Sequence, residues 1–340
     1  MKNFIIKLIS SLVILLSVVD IAYANDEVNV YSYRQPILIN PFFDEFTKKT
    51  GIKVNVLHAK KGLLERVMSE GNNTPADLIL TVDIARLNQF VKNDLLASVD
   101  SKILQENIPS HLRDSKSRWF ALSKRARILA VSKERVPLGS INNIEDLANE
   151  KWKGKICTRI GSHDYNRSLL ASIIAANGEE VAENWAKALV QNLARKPEGN
   201  DRNQAKAVHE GICDIAVMNT YYFGKMKFNE KNPEQKEWAS SLRLIFTNQS
   251  NRGNHVNIAG GGIIKYSKNK DNAQALLEFL TTPDAQKLYS SMNYEYPVNP
   301  KVRPSKELDS WGIFIEDQLP VERIAELAPT AQKIIDRVGW

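Results

Sequence analysis

Apolar positions in the first part of the chain switch between two periods. Val28-Asn29-Val30-Tyr31-Ser32-Tyr33 has the two-residue rhythm of a strand, and Asn40-Pro41 then opens a helical period carried by Phe42, Phe43 and Phe46 to Lys49. Thr50-Gly51 stops that helix and Ile52 to Val56 returns to strand. Strand, helix, strand at this spacing predicts a βαβ unit with parallel strands. A helix over Gly62 to Glu70, a turn over Gly71 to Pro75 and a strand over Asp77 to Thr81 continue the pattern. From Arg118 to Val131 the chain is extended, with Arg125 and Arg127 near its centre as either a solvated face or a pair turned to a cleft.

The alternation restarts after Leu147 to Gly154. Lys155-Ile156-Cys157-Thr158 is a strand, Gly161 to Asn166 a loop and Ser168 to Ser172 a helix. Cys213 to Val217 is a small, branched, buried type of strand, so Tyr221 and Tyr222 fall where it ends. Tyr165 occupies the corresponding place after the earlier strand. In open α/β sheets that end of a strand is where ligands bind. Val256 to Ile264 is a strand whose Gly260, Gly261 and Gly262 imply close backbone approach; they match neither recognised nucleotide-binding spacing. Asp271 to Phe279 and Glu322 to Val338 carry helical periodicity and predict core-packing helices.

Length changes this picture first: 340 residues suggest about two domains. With 43% hydrophobic and 25% charged residues, each lobe can build a full core. Residues 1–24 read as a secretory signal, with Lys2 and Lys7, an apolar stretch to Val19 and the small-x-small site Ala22-Tyr23-Ala24. No Cys follows that site to carry a lipid, so a soluble periplasmic protein is expected. Removing Lys2, Lys7 and Asp20 lowers the formal charge of +7 by one. The remaining basic residues are dispersed among acids, which argues against nucleic acid as a partner. In an oxidising compartment Cys157 and Cys213 are expected to form a disulfide that steadies the strands presenting the tyrosines.

Tyr165, Tyr221 and Tyr222 form a candidate cluster of phenols. A phenol titrates near pH 10, but a highly charged cation ionises it, and the resulting hard anionic oxygen suits a hard ion such as ferric iron. An adjacent tyrosine pair has an ordinary alternative, two half-buried rings with their hydroxyls in water. The five histidines lack the close spacing of zinc sites, although His163 lies near Tyr165. A secreted hydrolase would need a positioned nucleophile and base, and no such motif occurs.

Several stretches give these features a common frame: Val30-Tyr31-Ser32, Thr81-Val82-Asp83, Ser123-Lys124-Arg125-Ala126-Arg127, Trp152-Lys153-Gly154-Lys155, Arg195 to Arg202, Asn219-Thr220-Tyr221-Tyr222 and Asn293 to Asn299. Over almost the whole chain after the signal they resemble the periplasmic ferric-iron-binding proteins of bacterial ABC importers. The resemblance implies a two-lobed α/β periplasmic-binding-protein fold, each lobe a mixed sheet flanked by helices, with a cleft between. Residues 25–122 plus about 250–300 would form one lobe, and 123–249 plus about 301–340 the other. It implies Tyr165, Tyr221 and Tyr222 as ligands to Fe3+ and Arg125 as the cleft arginine facing the iron or an anion. Some members carry His-Tyr after the first strand's Ser-x-Arg, where this chain has Gln35-Pro36. Water or a small anion held by Arg34 or Arg125 would then complete the shell, with Gln35 close by. Capture without chemistry on a substrate, delivery to an ABC permease and a monomeric state follow from the same resemblance. A binder of polyamine, thiamine or phosphonate is the rival.

Overall fold

The computed structural model describes residues 26–340. The signal at 1–24 lies outside the described residues. Strand β1 (Glu27–Ser32) lies between two parallel neighbours, β2 (Lys53–His58) and β3 (Leu78–Thr81). The helix joining β1 to β2 runs from Pro36 to Thr50, a turn earlier than Asn40-Pro41 suggests. Pro36 supplies the start because its fixed φ suits the first helical position, where no N–H is needed, and Pro41 is carried inside. Gly51 ends the helix at φ 78, a left-handed conformation that glycine adopts without a Cβ clash.

The 13-residue β4 (Phe120–Ser132) joins the two halves of the molecule. Its first half, Phe120 to Ala126, pairs antiparallel with β8 (Val256–Ile263), which in turn pairs with β3. Its second half, from Arg127 onward, pairs with β6 (Ile215–Asn219) and β7 (Leu242–Ile245), and β5 (Ile156–Cys157) lies parallel beyond β6. One strand therefore serves two sheets, and the direction of hydrogen bonding changes hands at Ala126/Arg127.

The three glycines of β8 are a packing requirement. A Cβ on Gly260 would lie 2.8 Å from the Phe120 carbonyl oxygen, one on Gly261 2.7 Å from a Leu80 methyl, and one on Gly262 2.7 Å from the Arg118 carbonyl oxygen. The core of the first sheet holds Phe42, Phe46, Leu78 and Phe120, all fully buried. Across the second sheet Cys157 and Cys213 are disulfide-bonded, with Cα atoms 6.0 Å apart, closing β5 onto the residues that lead into β6. Among the described residues no helix is long and apolar enough to cross a membrane.

Candidate metal-binding cleft

Two helix starts build one wall of the cleft. All five residues of β6 are buried, and the strand ends directly at the helix Thr220–Lys227, so Tyr221 and Tyr222 stand in its first turn. Tyr165 also lies in a first turn, that of the helix Asp164–Asn177. That helix begins four residues before Ser168. Its cap is His163, whose Nδ1 accepts the Tyr165 N–H at 3.2 Å, and histidine is not among the usual capping residues. The loop before it is held where Gly161 donates to the Trp340 carbonyl at 3.1 Å; a Cβ there would strike Trp340.

The phenols converge. The Tyr165 and Tyr221 hydroxyls are 3.0 Å apart, and the Tyr221 and Tyr222 rings pack with centroids 4.3 Å apart. Three guanidiniums surround the Tyr165 ring, from Arg125, Arg127 and Arg159 at 5.4, 5.7 and 5.2 Å, and Arg202 lies 5.2 Å from the Tyr222 centroid. Burial pushes the Tyr165 phenol up to about 12, the nearby Tyr222 adding to it and Arg125 opposing. Burial also holds Tyr221 well above its ordinary value, reinforced by Tyr165 and Tyr222. Both are neutral phenols at neutral pH.

Behind the tyrosines lies a closed electrostatic network. Asp201, fully buried, accepts from Arg127 at 2.7 Å, from Arg159 at 3.3 Å and from the Asn219 N–H at 2.8 Å. Arg127 also donates to Asn219 and Asn166, one at each tyrosine-bearing turn. Arg127 is thus structural. Arg125 is turned to the opposite wall, donating to the Val82 carbonyl and lying 3.5 Å from Asp83. Burial, with Asp164 nearby, raises the Asp83 carboxyl to about 6.

The first-lobe wall differs from expectation at Arg34. Its guanidinium is paired at 2.9 Å with Glu295, both side chains being nearly inaccessible, and Ser123 donates to the same carboxylate. Glu295 therefore occupies the acceptor role expected of a bound anion. Gln35 is exposed on the cleft wall, and Pro36 is committed to its helix. His163 is a helix cap whose imidazole burial pushes down to about 4. The cleft, of about 720 Å³, is also lined by Tyr33, Arg202, Lys225, Tyr294 and Glu295, which pattern reading missed. Lys225 had a signal: four residues beyond Tyr221, it shares that tyrosine's helix face. Tyr294 and Glu295 lie inside a stretch already singled out, but nothing local shows that Asn293 to Asn299 returns to the cleft. Among the described residues no cluster of three or more His, Cys, Asp or Glu is arranged to hold a metal.

A cleft between two sheets joined through β4, with a cluster of phenols at strand ends, is the architecture of a two-lobed binding protein. Residues 31–287 match the model of the bacterial extracellular solute-binding proteins, and the chain belongs to that family. It is 41% identical over 315 residues to Iron uptake protein A1 of Synechocystis sp., covering 92% of this chain and 87% of the relative. A Trichodesmium protein, IdiA (FutA), solved in complex with iron and citrate, is 44% identical with a TM-score of 0.89 over 92% of this chain and 99% of its own. Ferric iron-binding protein A of Mannheimia haemolytica in an open conformation is 46% identical with a TM-score of 0.87, over 92% and 98%. The fold is that of the two-lobed periplasmic binding proteins.

Proposed function

We propose that this protein captures ferric iron in the periplasm and hands it to an ABC permease, with Tyr165, Tyr221 and Tyr222 as phenolate ligands. The observation that carries the reading is the 3.0 Å approach of the Tyr165 and Tyr221 hydroxyls beside Tyr222, at two helix starts facing the cleft. Three phenolates balance the charge of the ion, and each phenol gives up its proton as the metal enters. The guanidinium of Arg125 beside the Tyr165 ring favours its ionised form, while those of Arg127 and Arg159 are balanced by Asp201.

A water, carbonate or citrate completes the shell. Because Arg34 is already neutralised by Glu295 and Arg125 lies beside Asp83, the cations left for that anion are Arg202 and Lys225. Closure of the lobes about the occupied site produces the form that the permease receives. Of the rival solutes, a cation such as polyamine or thiamine would need a free carboxylate in the cleft, and Glu295 is engaged by Arg34 and Ser123 while Glu230 is paired with Lys236. The role is binding and delivery rather than catalysis, by a monomer. Ferric loading should produce a visible phenolate-to-iron charge-transfer band that is lost in Tyr221→Phe; a colourless loaded protein would overturn the assignment.

A further inference from the structure

Another cavity, of about 570 Å³, lies on the side of β4 away from the cleft. Side chains alternate across an extended strand, and here the alternation separates two sites. Ser123 and Arg125 turn to the cleft, as does Glu295, whereas Lys124 and Tyr296, paired to each other through their backbones, line the rear cavity. One wall is tied to the first lobe: the Val298 N–H donates to Gln286 at 2.7 Å and Asn299 to the Thr281 carbonyl at 3.0 Å. The other is tied to the second, where Phe314 stacks on Phe246, just after β7, with centroids 4.5 Å apart. Tyr296 meets Phe314 edge-on at 5.0 Å, across the seam.

The cavity is lined by the Tyr296 and Phe314 rings and by four charged residues; Lys124 and Glu316 are paired to each other, which leaves one cation and one anion at the mouth, Arg303 and Asp309. Both are exposed, and among the described residues neither side chain enters an ion pair or hydrogen bond. The Tyr296 hydroxyl, on a residue only 5% exposed, is buried without a hydrogen-bond partner. We infer that this cavity is a binding site for a small zwitterion with one apolar side chain, an aromatic or branched amino acid. Its carboxylate meets Arg303, its ammonium meets Asp309, and its side chain lies against the joined Tyr296 and Phe314 rings. The volume is within the range of small-molecule sites. Because the two walls belong to different lobes, rotation about β4 and β8 changes their spacing. Occupancy of this cavity and closure of the cleft are therefore linked, and each ligand alters the other's affinity by the same factor.

The test is calorimetric titration of the iron-free protein with L-phenylalanine, phenylacetate and phenethylamine. Saturable one-to-one binding of L-phenylalanine is expected, tighter than either half-molecule. Arg303→Ala and Asp309→Asn, both at exposed positions, should each weaken it at least about fivefold, whereas Tyr221→Phe should leave it unchanged. Loading with ferric iron should shift the L-phenylalanine affinity by about fivefold or more, the lower end of usual coupling. Absence of saturable binding, or binding indifferent to both mouth variants, overturns the site. Equal affinity for phenylacetate overturns the zwitterion, and an unchanged affinity on iron loading overturns the linkage. The first two outcomes are independent of the proposed iron site; the linkage rests on that reading, and is judged on protein whose ferric loading is verified by bound-iron content.

Discussion

The two walls of the cleft are built on opposite plans. On the second-lobe wall the Asp201 network with Arg127 and Arg159 sits one layer back, and the groups that face the cavity are neutral phenols with protons to lose beside two cations without an ion-pair partner among the described residues, Arg202 and Lys225. On the first-lobe wall the charges reach the cleft surface but are already matched, Arg34 by Glu295 and Arg125 by Asp83. The difference teaches that a wall can be polar without being ready to bind. Ligand capacity resides in ionisable groups whose partners have not yet arrived, and those are concentrated on one side. On this reading the second lobe takes the metal and the first lobe covers it.

Removing one donor from the prepared wall should have the largest effect. Tyr221→Phe or Tyr165→Phe keeps the ring and deletes the anionic oxygen, so ferric affinity in a citrate competition should fall by at least about 100-fold, beyond the range for losing an outer-shell partner. An equal loss from a first-lobe substitution would erase the contrast between the walls.

The next effect is on stability. Asp201→Asn leaves two buried guanidiniums without their counter-charge, which should cost about 3–5 kcal/mol in denaturant unfolding of the iron-free protein. A near-neutral outcome would show that the tyrosine turns do not depend on this network.

Acidity probes the same wall. With Tyr165 at about 12 and Tyr221 also raised, the phenols are protonated in the empty protein, so binding releases protons and affinity must fall as pH falls. Each phenolate contributes up to about tenfold per pH unit. A binding constant independent of pH between neutrality and mild acid would exclude phenolate ligation.

Smaller effects belong to the first-lobe side. Arg125→Ala removes one of three guanidiniums near Tyr165 and should weaken binding about tenfold, equivalent to about one pKa unit on the phenol. Gln35→Ala should change it by less than about threefold, since a neutral amide adds little beside solvent. A Gln35 loss larger than that of Arg125 would show the first lobe supplying a direct ligand.

Much of this molecule is legible locally. The βαβ start, the left-handed stop at Gly51 and the tyrosines at the end of β6 follow from period and punctuation, because each is decided within a few residues. Two helix starts were misplaced for equally local reasons. Asn40-Pro41 is a good start signal overridden by an earlier proline, and His163 caps a helix through a nitrogen that ordinary capping preferences ignore.

The amino-acid sequence by itself determined the sheet-and-helix alternation, the kind of donor oxygen and the spacing of Tyr221 and Tyr222, since these rest on short-range backbone geometry and side-chain chemistry. Only the tertiary structure decided which charges are free. Arg34 meets Glu295 across 261 positions and Arg127 meets Asp201 across 74, and no periodicity encodes such pairings. Tyr165 and Tyr221 come within 3.0 Å only because two strand ends open on the same side of one sheet. Long-range pairing depends on how sheets twist and lobes face each other, a property of the whole packed chain, and it turns a set of tyrosines and arginines into a site.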